Sequence, residues 1–215
     1  MTEAERMRVF LASLDTGNSD FLNELENEAH LQRIPVIRHE TQSALRFLLA
    51  QTRPAEILEV GTAVGFSAIL MCENSEANIT TIENYEKRVG PAMENFRRAG
   101  VKERVTLLFG DAMDILPQLP GPYDFIFMDA AKGQYIRFLP DIMRLLSPGG
   151  TLVSDNVLQE GDILESHYAV ERRNRTIYKR MREYLYELTH RADLVTTILP
   201  VGDGLALSVK IGEKV

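Results

Sequence analysis

Two short polar segments carry the residues of this chain that are best suited to chemistry. Asp129 and Lys132 follow one hydrophobic run, and Asp155 with Asn156 follows the next. In an open parallel α/β sheet, ligands bind outside the carboxyl ends of the strands, so we expect these side chains to meet there. Two carboxylates and an amide oxygen form an all-oxygen ligand set that suits a divalent cation such as Mg²⁺. For each aspartate taken alone, a polar strand end or a helix N-cap is an equally simple interpretation.

Lys132 lies three residues after Asp129 and is the candidate proton acceptor. A neighbouring dication and partial burial both favour a neutral amine, so this lysine could take a proton from a substrate hydroxyl. The alternative is a solvent-exposed lysine at the start of a loop. The two segments together predict a cation site with a candidate base beside it.

A glycine loop forms the third candidate element. Gly61 and Gly65 permit a tight turn and a close backbone approach to a ligand. The loop is not the dinucleotide fingerprint, because a G-x-G-x-x-G spacing requires glycine at Ala63 and Phe66. Glu59, just before the loop, is a poor neighbour for a pyrophosphate and suits a ligand with a cationic portion.

Acidic residues end the next two predicted strands. Glu83 lies where an acid can hydrogen-bond ribose hydroxyls, and Asp111 lies where it can contact an adenine edge. The glycine loop alone is also consistent with an ordinary strand-to-helix turn. The series Glu83, Asp111 and Asp129 at successive strand ends favours a nucleoside-containing ligand.

The elements that must position these residues alternate between strand and helix after a helical N-terminal segment. The pattern predicts an α/β fold with about seven mostly parallel strands in one domain over residues 1–215, of which residues 1–50 are the N-terminal helical segment. A closing hairpin follows a long charged helix. Predicted strands cover 56–60, 78–82, 105–109, 123–127, 150–153, 194–199 and 205–211, and predicted helices include 86–99, 135–146 and 169–191.

Composition restricts the class of protein further. The chain has 215 residues, 45% hydrophobic and 26% charged, with a single cysteine and four histidines. The histidines lack metal-ligand spacing, so a zinc site is not expected. With no signal-peptide pattern and no membrane-spanning run, we expect a cytoplasmic protein. A net charge of −7 argues against indiscriminate nucleic-acid binding, yet residues 171–182 carry a basic cluster: Arg172, Arg173, Arg175, Lys179, Arg180 and Arg182.

From about residue 35 onward, these motifs resemble the cation-dependent class I O-methyltransferases, the family of catechol and caffeoyl-CoA O-methyltransferases. The resemblance implies a Rossmann-like methyltransferase fold, S-adenosylmethionine as cofactor and Mg²⁺ or a similar cation. It implies metal ligation by Asp129, Asp155 and Asn156, and catalysis by Lys132 together with Asp129. The implied cofactor contacts are Val36, Glu59, Gly61, Thr62, Ser67, Glu83, Asp111, Ala112 and Asp129. Ala131 departs from the plant enzymes, which carry an acid there.

Within that family, the segments around Lys132 and Asn156 and the arginine-rich stretch resemble a bacterial branch that methylates 5-hydroxyuridine in tRNA. This implies a tRNA anticodon loop as partner, contacted by Arg172, Arg173 and Arg175, with conversion of 5-hydroxyuridine at the wobble position to 5-methoxyuridine. A small catechol-type phenol is the alternative substrate, because it offers the same vicinal oxygen pair. The family likeness and the apolar N-terminal helices also lead us to expect a homodimer.

Two other function classes compete with this interpretation. A nicotinamide-dependent oxidoreductase would require the missing glycine pattern and would not require Asp155 and Asn156. A non-catalytic RNA-binding relative would not need the full set of expected ligands. Separate titrations with S-adenosylmethionine and with NAD discriminate the first alternative, and an activity assay discriminates the second.

Overall fold

A computed structural model describes residues 2–166 and 170–212, and in these ranges seven strands form one sheet. The strand order is β3-β2-β1-β4-β5-β7-β6. The first five strands pair in parallel, whereas β7 is antiparallel to both β5 and β6. This confirms the predicted fold class, including the antiparallel closing hairpin. The strands are β1 (Glu56–Val60), β2 (Asn78–Glu83), β3 (Val105–Phe109), β4 (Tyr123–Met128), β5 (Leu146–Ser154), β6 (Leu194–Leu199) and β7 (Leu205–Lys210).

Helices flank both faces of the sheet. Serine and threonine cap the first two: Thr2 forms a capping box with Glu5, and the Ser19 hydroxyl accepts from the Leu22 N–H. The helices are α1 (Glu3–Ser13), α2 (Asp20–Leu31), α3 (His39–Thr52), α4 (Phe66–Glu73), α5 (Glu86–Arg98), α6 (Ala112–Ile115), α7 (Tyr135–Leu145) and α8 (Arg175–His190).

The two faces of the sheet bury separate apolar layers. Alternation along β4 shows the division, because Phe125 and Phe127 pack with the layer under α2–α5, whereas Ile126 and Met128 pack with the layer under α6–α8. All four side chains are 0% exposed. A strand that is buried on both faces has a continuous hydrophobic sequence, which is why the sequence identified β4 clearly.

The strand order reverses between β1 and β4. The chain leaves β1 toward β2 on one side and later returns to β4 on the other, so the loops after these strands separate and leave a crevice. The glycine loop follows β1, and Asp129 follows β4. The fold therefore places both predicted motifs at this crevice.

The N-terminal helix α1 shows an exposed apolar surface. The segment that follows it is anchored to α3 by an ion pair between Asp15 and Arg46, whose side chains are only 21% and 16% exposed. The helix and its C-cap present five large apolar side chains that are more than half exposed, namely Met7, Val9, Phe10, Leu11 and Leu14. Among the residues that the structure describes, no helix is both long enough and apolar enough to cross a bilayer.

Two predicted boundaries were wrong. The strand β5 begins at Leu146 rather than Gly150, because the Ser147 hydroxyl bonds the Tyr123 carbonyl and the register shifts between Tyr123 and Phe125. The segment around Gly149 thereby runs beside β4 as an irregular extension of the strand. The charged helix α8 begins at Arg175, and residues 170–174 form a bend and a turn ahead of it. The predicted start at Ala169 lies outside the described residues.

Candidate active site

A cavity of about 590 Å³ lies at the carboxyl ends of the parallel strands. It is lined by the glycine loop after β1, by the acids that follow β2 and β3, and by the polar segments after β4 and β5. Segments that are far apart in sequence thus share one cavity. The predicted site residues that line it are Val36, Gly61, Thr62, Ser67, Glu83, Asp111, Ala112, Asp129, Lys132, Asp155 and Asn156.

The glycine loop is shaped by its neighbours in the fold. Gly61 has φ +109°, and a Cβ at this position would lie 2.0 Å from the carbonyl oxygen of Asp129. Gly65 has φ +86°, and a Cβ there would lie 2.5 Å from the Phe96 ring. Both residues therefore have to be glycine, because the end of β4 and helix α5 leave no room for a side chain.

Glu59 is the predicted cofactor residue that does not line the cavity. Its side chain is 0% exposed and accepts hydrogen bonds from the hydroxyls of Ser67 and Thr81. Thr62 lies 2.6 Å from Thr81 between their hydroxyl oxygens, which extends the network to the glycine loop. Burial raises the pKa of Glu59 to about 7, although the two hydroxyls oppose the shift. In this structure Glu59 contacts Ser67 and Thr81 rather than the cavity, and its direct contact with a cofactor stays a prediction.

Glu83 and Asp111 line the cavity while also supporting local backbone. The two carboxylate oxygens of Glu83 accept from the N–H groups of Ala63 and Tyr85, each at 2.8 Å. Asp111 caps α6 by accepting from the Met113 N–H at 2.9 Å. Each acid can still accept from a bound ligand, because a carboxylate offers more than one acceptor position per oxygen.

Asp129, Asp155 and Asn156 come together as the sequence predicted. The Asn156 amide nitrogen donates to Asp129 Oδ1 at 3.2 Å, which links the segment after β5 to the end of β4. Asp155 Oδ1 accepts from the Asn156 backbone N–H at 2.7 Å and lies 3.4 Å from the Thr41 hydroxyl. Among the described residues, no cluster of three or more His, Cys, Asp or Glu side chains has the geometry for a metal ion. The oxygen donors that Asp129, Asp155 and Asn156 bring together are two carboxylates and an amide.

The electrostatics of this cluster favour a bound cation. Burial raises the pKa of Asp129 to about 6, while the charge of Lys132 and the Asn156 hydrogen bond act in the opposite direction. Burial and then repulsion from Asp129 raise the pKa of Asp155 to about 7. Two buried carboxylates that resist ionisation side by side gain a compensating charge from a divalent ion. Oxygen ligands and this charge fit Mg²⁺, which prefers carboxylates and retains waters for other ligands.

Lys132 has an acidic partner that sequence reasoning missed. Its Nζ lies 3.2 Å from Oδ2 of Asp203, in the turn between β6 and β7. The lysine side chain is 32% exposed and the aspartate side chain only 4%. Asp203 lies in the glycine-flanked turn that was recognised only as a hairpin signal, and its distance from Lys132 in sequence gave no indication of contact. Thr41, Arg38 and Arg88 near the cavity were missed for the same reason.

The basic cluster lies outside the cavity lining. Arg172 and Arg173 are exposed in the turn before α8, and Arg173 pairs with Glu171 at 2.7 Å. Arg175 Nε donates to the Val170 carbonyl, so part of this side chain stabilises the turn. The predicted helix 169–191 would include Arg172 and Arg173, but α8 starts at Arg175, so both lie ahead of the helix.

Helix α8 nevertheless packs beside the cavity. An Arg180 guanidinium nitrogen donates to the Gly133 carbonyl at 3.0 Å. Gly133 follows Lys132 directly, and both Lys132 and Gln134 line the cavity. The first half of α8 is therefore fixed against the loop that carries the candidate base.

The family model and the similar proteins all indicate O-methyltransferases. The family model of the O-methyltransferases matches residues 12–211. A catechol O-methyltransferase of Niastella koreensis is 40% identical over 127 residues, covering 56% of this chain and 58% of the relative. A catechol O-methyltransferase of Mycobacterium tuberculosis is 35% identical over 139 residues, covering 63% of each protein. The chain thus matches less than two thirds of the length of either relative.

A solved structure extends the likeness to nearly the whole chain. The O-methyltransferase TomG of Streptomyces achromogenes, which is involved in tomaymycin synthesis, superposes with a TM-score of 0.85 at 25% identity. The superposition covers 99% of this chain and 100% of TomG, and that structure holds SAM. The likeness therefore includes the sheet, the helices on both faces and the segments that form the cavity.

Proposed function

Because the chain belongs to the O-methyltransferase family, we propose that it transfers the methyl group of S-adenosylmethionine to a hydroxyl of a substrate with two adjacent oxygens. The observation that carries this proposal is the shared cavity of the glycine loop, Glu83, the Asp129–Asp155–Asn156 cluster and Lys132. One cavity then holds the residues for a nucleoside cofactor, for a cation and for proton removal. A nicotinamide-dependent oxidoreductase has no use for this combination.

The cofactor would lie along the ends of β1, β2 and β3. Glu83 would accept from the ribose hydroxyls, and Asp111 with Ala112 would contact the adenine, as their places in the cavity allow. Gly61 and Thr62 would approach the methionine part of the cofactor. Ser67, whose hydroxyl donates to Glu59, would lie beside the same part. The SAM in TomG supports this assignment, since the two folds superpose over nearly all of both chains.

The chemistry is a displacement at the methyl carbon. The substrate oxygen bonds the methyl carbon as the bond to sulfur breaks, giving a methyl ether, S-adenosylhomocysteine and a proton. Asp129, Asp155 and Asn156 would hold a divalent cation, whose positive charge would lower the pKa of the substrate hydroxyl and orient it. Lys132, as the neutral amine, would take up the proton, and Asp203, 3.2 Å from its Nζ, would stabilise the ammonium ion that results.

For the substrate, we infer 5-hydroxyuridine at the wobble position of tRNA. Its hydroxyl and the neighbouring carbonyl form the required oxygen pair, and an unpaired loop base can be splayed into a pocket at modest cost. The exposed Arg172 and Arg173 lie in the turn that leads into α8, whose Arg180 contacts the Lys132 loop. The exposure of these two charges supports contacts with anticodon-loop phosphates.

A small catechol is the second candidate substrate. Two relatives that align with more than half of this chain are named catechol O-methyltransferases. A catechol has the same oxygen pair as 5-hydroxyuracil, so the same cluster serves both. What distinguishes the candidates is the surface around the cavity, since a catechol needs no basic surface.

The decisive experiment is a competition with labelled S-adenosylmethionine. Purified protein is assayed on tRNA that contains 5-hydroxyuridine, on the same tRNA without the hydroxyl, and on a simple catechol, each with Mg²⁺ and with excess chelator. We expect cation-dependent label on the hydroxylated tRNA alone or far above catechol. Label on catechol only would make the small phenol the substrate. No label on any of them, with S-adenosylmethionine bound, would favour the non-catalytic relative.

The homodimer stays a prediction. The exposed apolar residues of α1 offer a surface that a second copy could cover. Light scattering on the full chain and on a variant with Phe10→Ser and Leu14→Ser provides the test. Loss of dimer in the variant with unchanged secondary structure would support this surface, and a wild-type monomer would contradict the dimer.

A further inference from the structure

One buried tyrosine links the two strand ends that carry the candidate cation ligands. Tyr135 is the first residue of α7 and is 0% exposed. Its hydroxyl accepts from the Ala130 N–H at 3.2 Å and lies 3.0 Å from the Met128 carbonyl oxygen. The same hydroxyl lies 3.3 Å from the Asp155 carbonyl oxygen. Because a phenol has one proton, the two carbonyls share its donation.

These three backbone groups surround the proposed ligands. Met128 and Ala130 are the two chain neighbours of Asp129, and the third group belongs to Asp155 itself. The regular pairing between the strands ends at this point, where the Asp155 N–H donates to the Met128 carbonyl at 3.0 Å. Beyond that bond, the Tyr135 hydroxyl ties the backbone on either side of Asp129 to the backbone of Asp155.

The ring that carries this hydroxyl is itself held firmly. It meets the Tyr184 ring edge-on, with centroids 5.5 Å apart and an interplanar angle of 75°. The loop that returns the chain from β4 to α7 is short and closed by a bond from the Gln134 N–H to the Ala131 carbonyl at 2.8 Å. The hydroxyl therefore has little freedom to leave the strand ends.

We propose that Tyr135 is a positioning residue for the cation site: its hydroxyl sets the spacing between Asp129 and Asp155 without touching the ion. The proposal rests on the proposed function, because it needs a cation at these two carboxylates. Mg²⁺ demands near-ideal geometry at short distances, so a small displacement of either carboxylate weakens binding. Groups that orient the ligands of a metal typically change its affinity by about 10- to 100-fold when removed.

The test is Tyr135→Phe, which removes the hydroxyl and keeps the ring. Tyr184→Phe is the matched control, because it also removes one buried phenol hydroxyl, but that hydroxyl bonds the Ser154 side chain at 2.6 Å rather than the strand-end backbone. Mn²⁺ serves as the probe, with the free ion counted by electron paramagnetic resonance. S-adenosylmethionine affinity is measured by calorimetry on the same proteins.

We expect Tyr135→Phe to weaken Mn²⁺ binding by about tenfold or more, while S-adenosylmethionine affinity stays near that of the wild type. Tyr184→Phe should bind Mn²⁺ like the wild type. Unchanged Mn²⁺ affinity in Tyr135→Phe overturns the positioning proposal alone. An equal loss in both variants also overturns it, because general loosening then explains the effect. A wild type that binds no Mn²⁺ overturns the cation site of the proposed function, and the positioning proposal with it.

Hydrogen exchange on the wild type covers the case in which Tyr135→Phe does not fold. If the hydroxyl holds the strand ends before any ion binds, the Ala130 amide is protected from exchange in chelator, and added Mg²⁺ increases this protection only slightly. An Ala130 amide that exchanges freely until Mg²⁺ is added would show that the ion orders the strand ends, and it would overturn the proposal.

Discussion

The amine of Lys132 and the carboxylate of Asp203 form an ion pair of 3.2 Å across 71 positions of sequence. Asp203 is 4% exposed, whereas Lys132 is 32% exposed, so the fixed member of the pair is the acid. The backbone of Asp203 is fixed as well, since its carbonyl accepts from the Leu158 N–H at 2.9 Å. The turn between β6 and β7 thus positions Lys132, the proposed proton acceptor, although the two are far apart in sequence.

Asp203→Asn should lower kcat without weakening cofactor binding. The amide keeps the size of the side chain but loses the charge that stabilises and orients the Lys132 ammonium ion formed when the proton is taken up. Because general-base catalysis contributes about 10²- to 10⁴-fold, a misplaced base should cost about tenfold in kcat. Asp193→Asn, which breaks the ion pair with Arg191 outside the cavity, is the control. Equal kcat in wild type and Asp203→Asn would show that the pair does not orient the base.

Asp155→Ala should abolish methyl transfer and leave the fold intact. The substitution removes one of two carboxylates from the cation cluster, and we expect turnover to fall by about a hundredfold or more. Asp141→Asn, on the outer surface of α7, provides the control for a general loss of an acid. Turnover is followed with and without chelator, and circular dichroism reports the fold. Full turnover of the wild type in excess chelator would contradict the cation requirement.

The stability of the cation-free protein should fall as pH rises. The folded-state pKa values of Asp155 and Glu59 are about 7 and that of Asp129 about 6, each above its ordinary value. The native state therefore binds more protons than the unfolded state between about pH 4.5 and 7. Linkage then requires that the contribution of these three groups to the free energy of unfolding falls as pH rises through that range. Mg²⁺ should stabilise most above pH 7, where the carboxylates are ionised.

Asp155→Asn isolates one of these groups, because an amide does not titrate. In chelator, the difference between the Tm of Asp155→Asn and the Tm of the wild type should increase by about 5 °C in favour of the variant from pH 5.5 to pH 8. The measurement is thermal unfolding at both pH values, with and without MgCl₂. A difference in Tm that does not change with pH would show that Asp155 is not the source of the pH dependence.

Glu83→Gln should weaken S-adenosylmethionine binding and spare the cation. The carboxylate lines the cavity and also accepts from two backbone N–H groups, so the amide loses a charge and disturbs one of those bonds. Hydrogen bonds to charged groups contribute about 1.5–3 kcal/mol, which predicts an affinity loss of about 10- to 100-fold. Calorimetry with Glu86→Gln as the exposed control measures it, and an unchanged affinity would refute the ribose assignment.

Arg172→Ala with Arg173→Ala should weaken methylation of tRNA more than that of a catechol. Both side chains are exposed. For each removed charge that neutralises a phosphate, the slope of log affinity against log salt concentration should decrease in magnitude by about 0.7–0.9. The control removes two positive charges at the opposite edge of the sheet, with Arg97→Ala and Lys102→Ala near the end of α5. Equal losses on both substrates would indicate a structural role for the arginines.

The sequence predicted what depends on local pattern. The buried parallel strands were continuous hydrophobic runs, so β1, β3 and the hairpin were located to within a residue, and the strand-end acids followed from them. The sequence did not reveal contacts made across the chain. The spacing of Glu59 before Gly61, for example, says nothing of Ser67 and Thr81, whose hydroxyls donate to its carboxylate.

The start of helix α8 is a second feature that the sequence pattern did not locate. Its charged pattern continued upstream through Arg172, yet the Arg175 side chain bonds the Val170 carbonyl and Asn174 bonds Asp162. Side chains that bond local groups compete with helix formation, and periodicity does not record that competition. In the same way, the sequence places Tyr135 at the start of a predicted helix but does not show that its hydroxyl bonds the backbone at the ends of β4 and β5.

The close approach of Gly61 to Asp129 limits how this chain can change. Any side chain at position 61 would have to displace the Asp129 carbonyl, so a substitution meant to alter the cofactor loop would move a proposed cation ligand as well. By contrast, a Cβ at Gly17, Gly90 or Gly149 would meet no atom within 4 Å. In a saturation library selected for activity, position 61 should therefore be among the least tolerant positions, and variation in substrate preference should accumulate in the surface segments around the cavity.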